Sequence, residues 1–224
     1  MILSIESATA VCSVALSSEG RLLAIRELNE GFSHAEKLTV FIQEVITEAG
    51  VSLKELKAVA VSSGPGSYTG LRIGVSAAKG LCYALDIPLI SVDTLLSMAA
   101  GAVNAYGESV LYCPLLDARR MEVYCAVYDA HLKVVNSVEA KVVDEYFLED
   151  VVRDAKVVLF GDGAAKCKPL LMKNENFIFI KSFTSARFVS VIAEEKFTKG
   201  EFENLALFEP FYLKEFIPGP KKNS

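Results

Sequence analysis

Tryptophan is absent, and histidine occurs only twice, at His34 and His131. A histidine metal pair on a helix needs a second imidazole four residues on, and the residue four after His34 is Leu38. None of the five cysteines (Cys12, Cys82, Cys113, Cys125, Cys167) stands in a CxxC spacing. That argues against a zinc knuckle or a thioredoxin-type centre and for buried thiols in a reducing compartment. No G-x-S-x-G nucleophile elbow is present. A basic excess is missing too: 23 Lys and Arg face 28 Asp and Glu, a net charge of −5. A stand-alone nucleic-acid binder would carry the opposite balance, so any RNA should be met through a partner. The uncharged stretches Ala58–Leu71 and Thr94–Gly107 are interrupted by Gly, Ser, Pro or Asn. Both fall short of the roughly 20 apolar residues of a membrane span. The first residues, Met1–Glu6, lack the basic region of a signal peptide, so the expected location is the cytoplasm.

What is plentiful is apolar side chain. Of 224 residues, 52% are hydrophobic, enough for one large core or two smaller ones. Met1–Glu6, Val11–Ser17 and Leu22–Leu28 alternate as three strands, with Ser18-Glu19-Gly20 as a hairpin turn. Leu38, Phe41, Ile42, Val45, Ile46 and Ala49 then recur at helical spacing, with Ser33 and Glu36 as a capping box and Gly50 at the end. Ser52–Glu55 is a short capped turn, and Lys57–Ser62 a buried strand. A helix over Thr69–Leu85, a strand Pro88–Val92 and a helix from Asp93 or Thr94 to about Asn104 follow. The second half repeats the plan. It has strands Ser109–Leu116, Glu122–Tyr128 and Leu132–Val143, a helix capped by Asp144 to about Asp154, strands Lys156–Phe160 and Phe177–Ile180, and a helix Ser185–Lys199 closed by Gly200. The pattern is α/β: an antiparallel meander and then a parallel region, twice over. The expected division is 1–104 and 105–224, with the helix near 185–200 able to pack back on the first lobe. The tail Pro218–Ser224 is expected to fray.

Three segments are candidates for chemistry. Ser62–Gly74 is a Gly-rich strand-to-helix loop that gathers backbone amides at a helix start, a natural anion site at Gly64, Gly66 and Ser67. It is neither a Walker A loop nor GxGxxG, because Leu71 and Thr69 occupy the decisive positions. A plain tight turn and a protein-interface role are the competing readings. In the helix after it, Gly70, Gly74 and Ala78 leave one face bare, against which another backbone can pack, from this chain or another. Glu6 and Asp117 end strands of the two halves, where paired carboxylates hold Mg-nucleotide, or else organise local turns. Gly161 and Gly163 suit a nucleotide contact or an ordinary turn.

Taken together, Ile2–Leu16, Ser33–Leu38, Gly64–Gly74, Leu116–Tyr124 and Glu209–Lys214 resemble, in order and spacing, the bacterial TsaB (YeaZ) family. The resemblance implies an actin-like ATPase (ASKHA, ribonuclease H-like) fold with two lobes of related topology. It implies a non-catalytic partner of TsaD which, with TsaE, serves the transfer of threonylcarbamoyl to N6 of the adenosine beside the tRNA anticodon. TsaD holds metal through a His pair in the helix equivalent to Ser33–Ala49; with Leu38 in the second place, no metal and no catalytic residue is expected here. Pairing would run through the first two long helices, by His34, Leu38, Phe41, Ile42 and Val45 on one and Gly70, Leu71, Gly74 and Ala78 on the other. The partner would be TsaD, or a second copy when TsaD is absent. Gly74→Leu should then block assembly while leaving a folded monomer. Mg-ATP or ADP would bind mainly in the partner. Glu6-Ser7 stands where the family has Asp-Thr, and Met121 where Gly is common, so weak or no ATP hydrolysis is expected. Direct tRNA contact is not expected, the Lys221-Lys222 tail being a basic element that could reach RNA phosphate. Two other readings share the fold: a small-molecule phosphotransferase, and a glycoprotease-like protein.

Overall fold

The computed structural model describes residues 1–29, 31, 34–107, 109–153 and 155–214. Strands β1 (Ile2–Glu6), β2 (Cys12–Ser18) and β3 (Arg21–Leu28) form an antiparallel meander. Glu19 and Gly20 both adopt positive φ in the turn between β2 and β3, as a tight hairpin requires. Helix α1 (His34–Glu48) follows, then a 3₁₀ turn (Leu53–Glu55) with a capping box in which the Ser52 amide donates to Glu55 Oε2 at 2.8 Å. Strand β4 (Ala58–Gly64), helix α2 (Tyr68–Leu85) and strand β5 (Leu89–Asp93) complete the first sheet, in the order β3-β2-β1-β4-β5 with β1, β4 and β5 parallel.

Helix α3 (Thr94–Tyr106) leads to a second sheet of β6 (Val110–Asp117), β7 (Glu122–Tyr128), β8 (Val134–Val142), β9 (Lys156–Phe160) and β10 (Phe177–Phe179). Its order is β10-β9-β6-β7-β8, the same meander-then-parallel plan as the first sheet. Between β8 and β10 lie a single helical turn α4 (Glu149–Val152) and α5 (Ala164–Leu171); α6 (Ala186–Lys199) ends the regular structure. Two expectations shift. Asp144 caps no long helix; its carboxylate accepts the Tyr146 amide at 3.0 Å in a local turn. Helix α5 was not foreseen, because Pro169 lies inside it. The Ser33 capping box and the Pro218–Ser224 tail fall outside the described residues.

The layers follow from alternation. Leu3, Ile5, Val14, Val59 and Val61 face α1 and α2. On the opposite face Ala58 and Ala60 of β4, flanked by Ile2, Ile90 and Val92, lie under Val189, Ile192 and Ala193 of α6. Small side chains on the sheet let α6 seat closely, although it comes from the far end of the chain. Helix α3 packs Leu95, Met98 and Ala102 on Tyr112, Ala126 and Tyr128 of the second sheet. The result is a stack: α1 and α2, first sheet, α6 and α3, second sheet, then α4 and α5. All five cysteines are free and buried, and burial pushes the Cys12, Cys82 and Cys167 thiols up to about 11.

Because Ala193 is fully buried against Ala58 and Ala60, Ala193→Leu overpacks the seat of α6 and should cost about 1–3 kcal/mol. A lower urea midpoint at unchanged slope is the expected reading. Val191→Ala, on the exposed side of the same helix, should change stability by less than about 0.5 kcal/mol.

Candidate functional site

The end of β1 is where the sequence placed its first chemical residue. Glu6 is wholly buried. Its Oε1 accepts the Ala8 amide at 2.6 Å and the Ser62 hydroxyl at 3.0 Å, while Oε2 has no hydrogen-bond partner. Burial is the main cause that raises its pKa to about 7; the Ala8 and Ser62 hydrogen bonds oppose this and nearby Glu27 adds slightly. Such a carboxyl closes a turn. It is poorly placed to take a metal ion from solvent.

The Gly-rich loop folds onto the same turn. The Ser67 amide donates to the Ala8 carbonyl at 2.6 Å, and Ser67 Oγ caps α2 by accepting the Gly70 amide at 3.3 Å. Gly64 has φ +117°, and a Cβ there would strike the Phe211 carbonyl oxygen; the Phe211 amide donates to Ser63 O at 2.7 Å. A Cβ on Gly66 would strike the Ala8 carbonyl oxygen. Gly70 and Gly74 then meet Ser7: a Cβ on either would collide with the Ser7 carbonyl oxygen or hydroxyl, and Ser7 Oγ donates to Gly70 O at 2.9 Å. So Glu6, Gly64, Gly66 and Ser67 do come together, but around the chain's own Ala8 and Phe211. The bare stripe is also corrected. Gly70, Leu71, Gly74 and Ala78 are buried within this chain, and the close backbone is its own β1–β2 turn.

In the second lobe, Asp117 ends β6 and is held by Lys166 of α5 at 2.5 Å. Its backbone amide donates to Asp162 Oδ1 at 3.0 Å, and burial raises the Asp162 carboxyl. A Cβ on Gly161 would strike the Leu115 carbonyl oxygen, and the Gly163 amide donates to it at 2.9 Å. These glycines serve a strand-to-helix turn. Among the described residues no hydrogen bond joins this group to the Glu6 group.

Helix α1 turns its predicted face inward. His34 Nε2 lies 3.1 Å from the Val11 carbonyl oxygen, and Leu38 and Val45 are core residues. Phe41 is half-buried against that core. His34, Leu38 and Val45 are thus turned into the core and not to an outer contact, while Phe41 stays partly exposed and Ile42 reaches a surface feature. That feature is an open apolar groove of about 350 Å³ between α1 and α2, lined by Thr39, Ile42, Ala77, Gly80 and Leu81. Val40 (46% exposed) and Tyr83 (84%) stand on the same two helices. Ala77 and Gly80 are small residues of α2 on the groove side, distinct from the inward-facing Gly70, Gly74 and Ala78.

Three polar contacts close the space between the lobes. Thr9 and Thr184 share a hydrogen bond at 2.7 Å, Ser185 Oγ donates to Glu27 Oε2 at 2.5 Å, and the Ala186 amide donates to Ser13 Oγ at 3.0 Å. The C-terminal strap (201–214) adds more. Glu203 N donates to Leu89 O, Lys79 Nζ to Phe208 O at 3.0 Å, and Lys214 pairs with Glu122. The Tyr68 and Tyr212 rings lie 5.0 Å apart. No sequence pattern announced these partners, since each pair is separated by 92 residues or more.

With this geometry in hand, relatives can be compared. The family model for TsaD, tRNA N6-adenosine threonylcarbamoyltransferase, matches residues 31–219. The tRNA threonylcarbamoyladenosine biosynthesis protein TsaB of Buchnera aphidicola (subsp. Schizaphis graminum) is 30% identical over 172 residues, 75% of this chain and 81% of that protein. The chain belongs to the TsaB (YeaZ) family. The Escherichia coli TsaB is 41% identical over 127 residues, 57% of this chain and 54% of that protein. The aligned region thus spans about half the length of several curated TsaB relatives. YeaZ from Pseudomonas aeruginosa superposes with a TM-score of 0.79 at 26% identity, over 95% of this chain and 99% of that one. The two sheets of like order in this TsaB-family chain are those of the actin-like ATPase fold.

Two predictions follow from the turn at Glu6. A carboxyl raised from 4.5 to about 7 in the fold stabilises the protein fully below the unfolded value and loses that stability as pH climbs through about 7. Wild type should therefore lose on the order of 3 kcal/mol between pH about 4.5 and about 8, and Glu6→Gln should flatten the slope, by urea titration at each pH. Gly74→Leu, driven into Ser7, should yield insoluble or unfolded protein; a folded monomer would show that the collision is avoided.

Proposed function

We propose that this chain is the accessory, non-catalytic subunit of an assembly that transfers threonylcarbamoyl to N6 of the tRNA adenosine beside the anticodon. Helix α1 carries the reading. A metal pair there needs two outward histidines one turn apart, whereas His34 is turned onto Val11 O and Leu38 fills the core. The partners in this reading are TsaD, which supplies the metal and most of any Mg-ATP or ADP binding, and TsaE. The setting is the cytoplasm, where tRNA resides and free thiols persist. Among the described residues no helix is long and apolar enough to cross a membrane.

The surface offered to TsaD is the groove of Thr39, Ile42, Ala77, Gly80 and Leu81. Small side chains on α2 allow a partner helix to approach closely. In the absence of TsaD a second copy occupies the same groove. Glu6 and Asp117, each engaged inside the chain, are weak candidates for holding Mg²⁺.

Light scattering on the chain mixed with TsaD of the same organism should give a 1:1 complex. Gly80→Arg tests the groove without touching the core, because a Cβ at Gly80 meets nothing within 4 Å. The variant should fail to associate, while its thermal midpoint holds or rises, since replacing a mid-helix glycine gains up to about 1 kcal/mol. No complex with wild type, together with micromolar Mg-ATP binding by the lone chain, would overturn the proposal in favour of a phosphotransferase.

A further inference from the structure

The hairpin tip between β6 and β7 has no task in the reading above. Arg119 and Arg120 are successive non-glycine residues with φ of +67° and +49°. Strained backbone of this kind persists only where the surroundings dictate it. Here they do. The Ala118 amide donates to Glu122 O at 3.1 Å and the Glu122 amide to Arg119 O at 3.2 Å. Lys166, reaching over from α5, donates to Arg120 O at 2.8 Å, Glu122 O at 2.6 Å and Asp117 Oδ1 at 2.5 Å. The tip is fixed from below by a lysine that is only 21% exposed.

The same contacts settle the local charge. Asp117 is paired with Lys166 and Glu122 with Lys214. Asp162 is largely buried and receives the Asp117 amide. Among the described residues neither arginine has a carboxylate partner, and both are exposed. Among the described residues two adjacent guanidiniums are therefore left without a carboxylate on a hydrogen-bonded tip, in a chain whose net charge is −5. Guanidinium forks match phosphate oxygens in a bidentate fashion, and a fixed backbone spares the entropy of ordering them.

We propose that Arg119 and Arg120 form a docking point for the phosphate backbone of RNA. This rests on the tRNA-directed function proposed above, and it goes beyond the expectation that RNA is met only through a partner. A hairpin tip is too small for a protein interface, which needs about 800 Å² per partner, whereas a phosphate contact needs only the forks.

The test is fluorescence anisotropy of an unmodified tRNA transcript against the full chain, over a salt series starting at low ionic strength. Arg119→Ala/Arg120→Ala should lower affinity about tenfold or more at low salt and reduce the slope of log K against log salt by roughly 1.4 to 1.8, two phosphate contacts' worth. Arg119→Lys/Arg120→Lys should keep the slope, which separates loss of charge from loss of fold; equal thermal midpoints check the same point. Wild type that ignores the transcript, or an alanine variant with an unchanged slope, would overturn the proposal. So would polyglutamate competing as well as RNA of equal charge, which would mark an acidic protein partner instead. The alanine variant should still bind TsaD, since the groove lies on the other lobe. Loss of the wild-type TsaD complex with arginine-dependent RNA binding intact would overturn the proposed function and leave this inference standing.

Discussion

The close approach of α2 to the end of β1 is the constraint on which the rest of the structure depends. Ser7 sits where side chains on Gly70 and Gly74 would be, and its hydroxyl is bound to Gly70 O. Each glycine sacrifices about 1 kcal/mol of helix propensity relative to alanine. What the sacrifice permits is contact between a helix and a turn with only the Ser7 side chain between them. Once α2 is drawn in, the Gly64–Ser67 loop has to fold over Ala8, and Glu6 is sealed beneath it. A loop that in isolation suggests an anion cradle becomes a lid on a buried carboxyl.

The second consequence is the closing of the lobes. At β4 the first sheet presents only Ala58 and Ala60 toward α6, between Ile2 of β1 and Ile90 and Val92 of β5, and α6 belongs by chain order to the second lobe. Its N-terminus is met by Ser13 and Glu27 of the first lobe, with Thr184 and Thr9 joined beside it. Charge-assisted and buried hydrogen bonds of this kind cost more to break than they contribute on forming, because each unpaired group is left desolvated. The lobes are thus linked by Thr9, Ser13 and Glu27 on one side and Thr184, Ser185 and Ala186 on the other.

How much of this was legible depended on range. Period-two and period-3.6 patterns gave nearly every strand and the helices α1, α2, α3 and α6, because each face of each element has one kind of neighbour. Helix α5 was hidden by Pro169, and the long helix expected after Asp144 shrank to one turn. The doubled topology was visible because the meander recurs. The candidate sites were half legible. Glu6, Gly64, Gly66 and Ser67 do converge, but the sequence does not say that Ala8 and Phe211 occupy the space between them. For α2 the regular stripe of Gly70, Gly74 and Ala78 faces inward. Spacing shows that a face is bare; only the fold shows which backbone it was cleared for.

What remains outward is then informative. Glu6 is engaged by Ala8 and Ser62 and Asp117 by Lys166, and two surface features stand apart from both. The α1–α2 groove is apolar and lies on the outer layer of the first sheet. The Arg119-Arg120 tip is cationic and lies at the end of the second. Between them runs a continuous stack of sheets and helices, pinned by α6 and strapped by the Lys214–Glu122 pair. A rigid spacer holding two contacts at a fixed separation makes the second contact effectively intramolecular once the first has formed, so weak individual contacts combine. The hydrogen bonds of Thr9 with Thr184, Ser185 with Glu27 and Ala186 with Ser13 join the lobes that carry these two features, and a set separation between them is what the proposed accessory role requires.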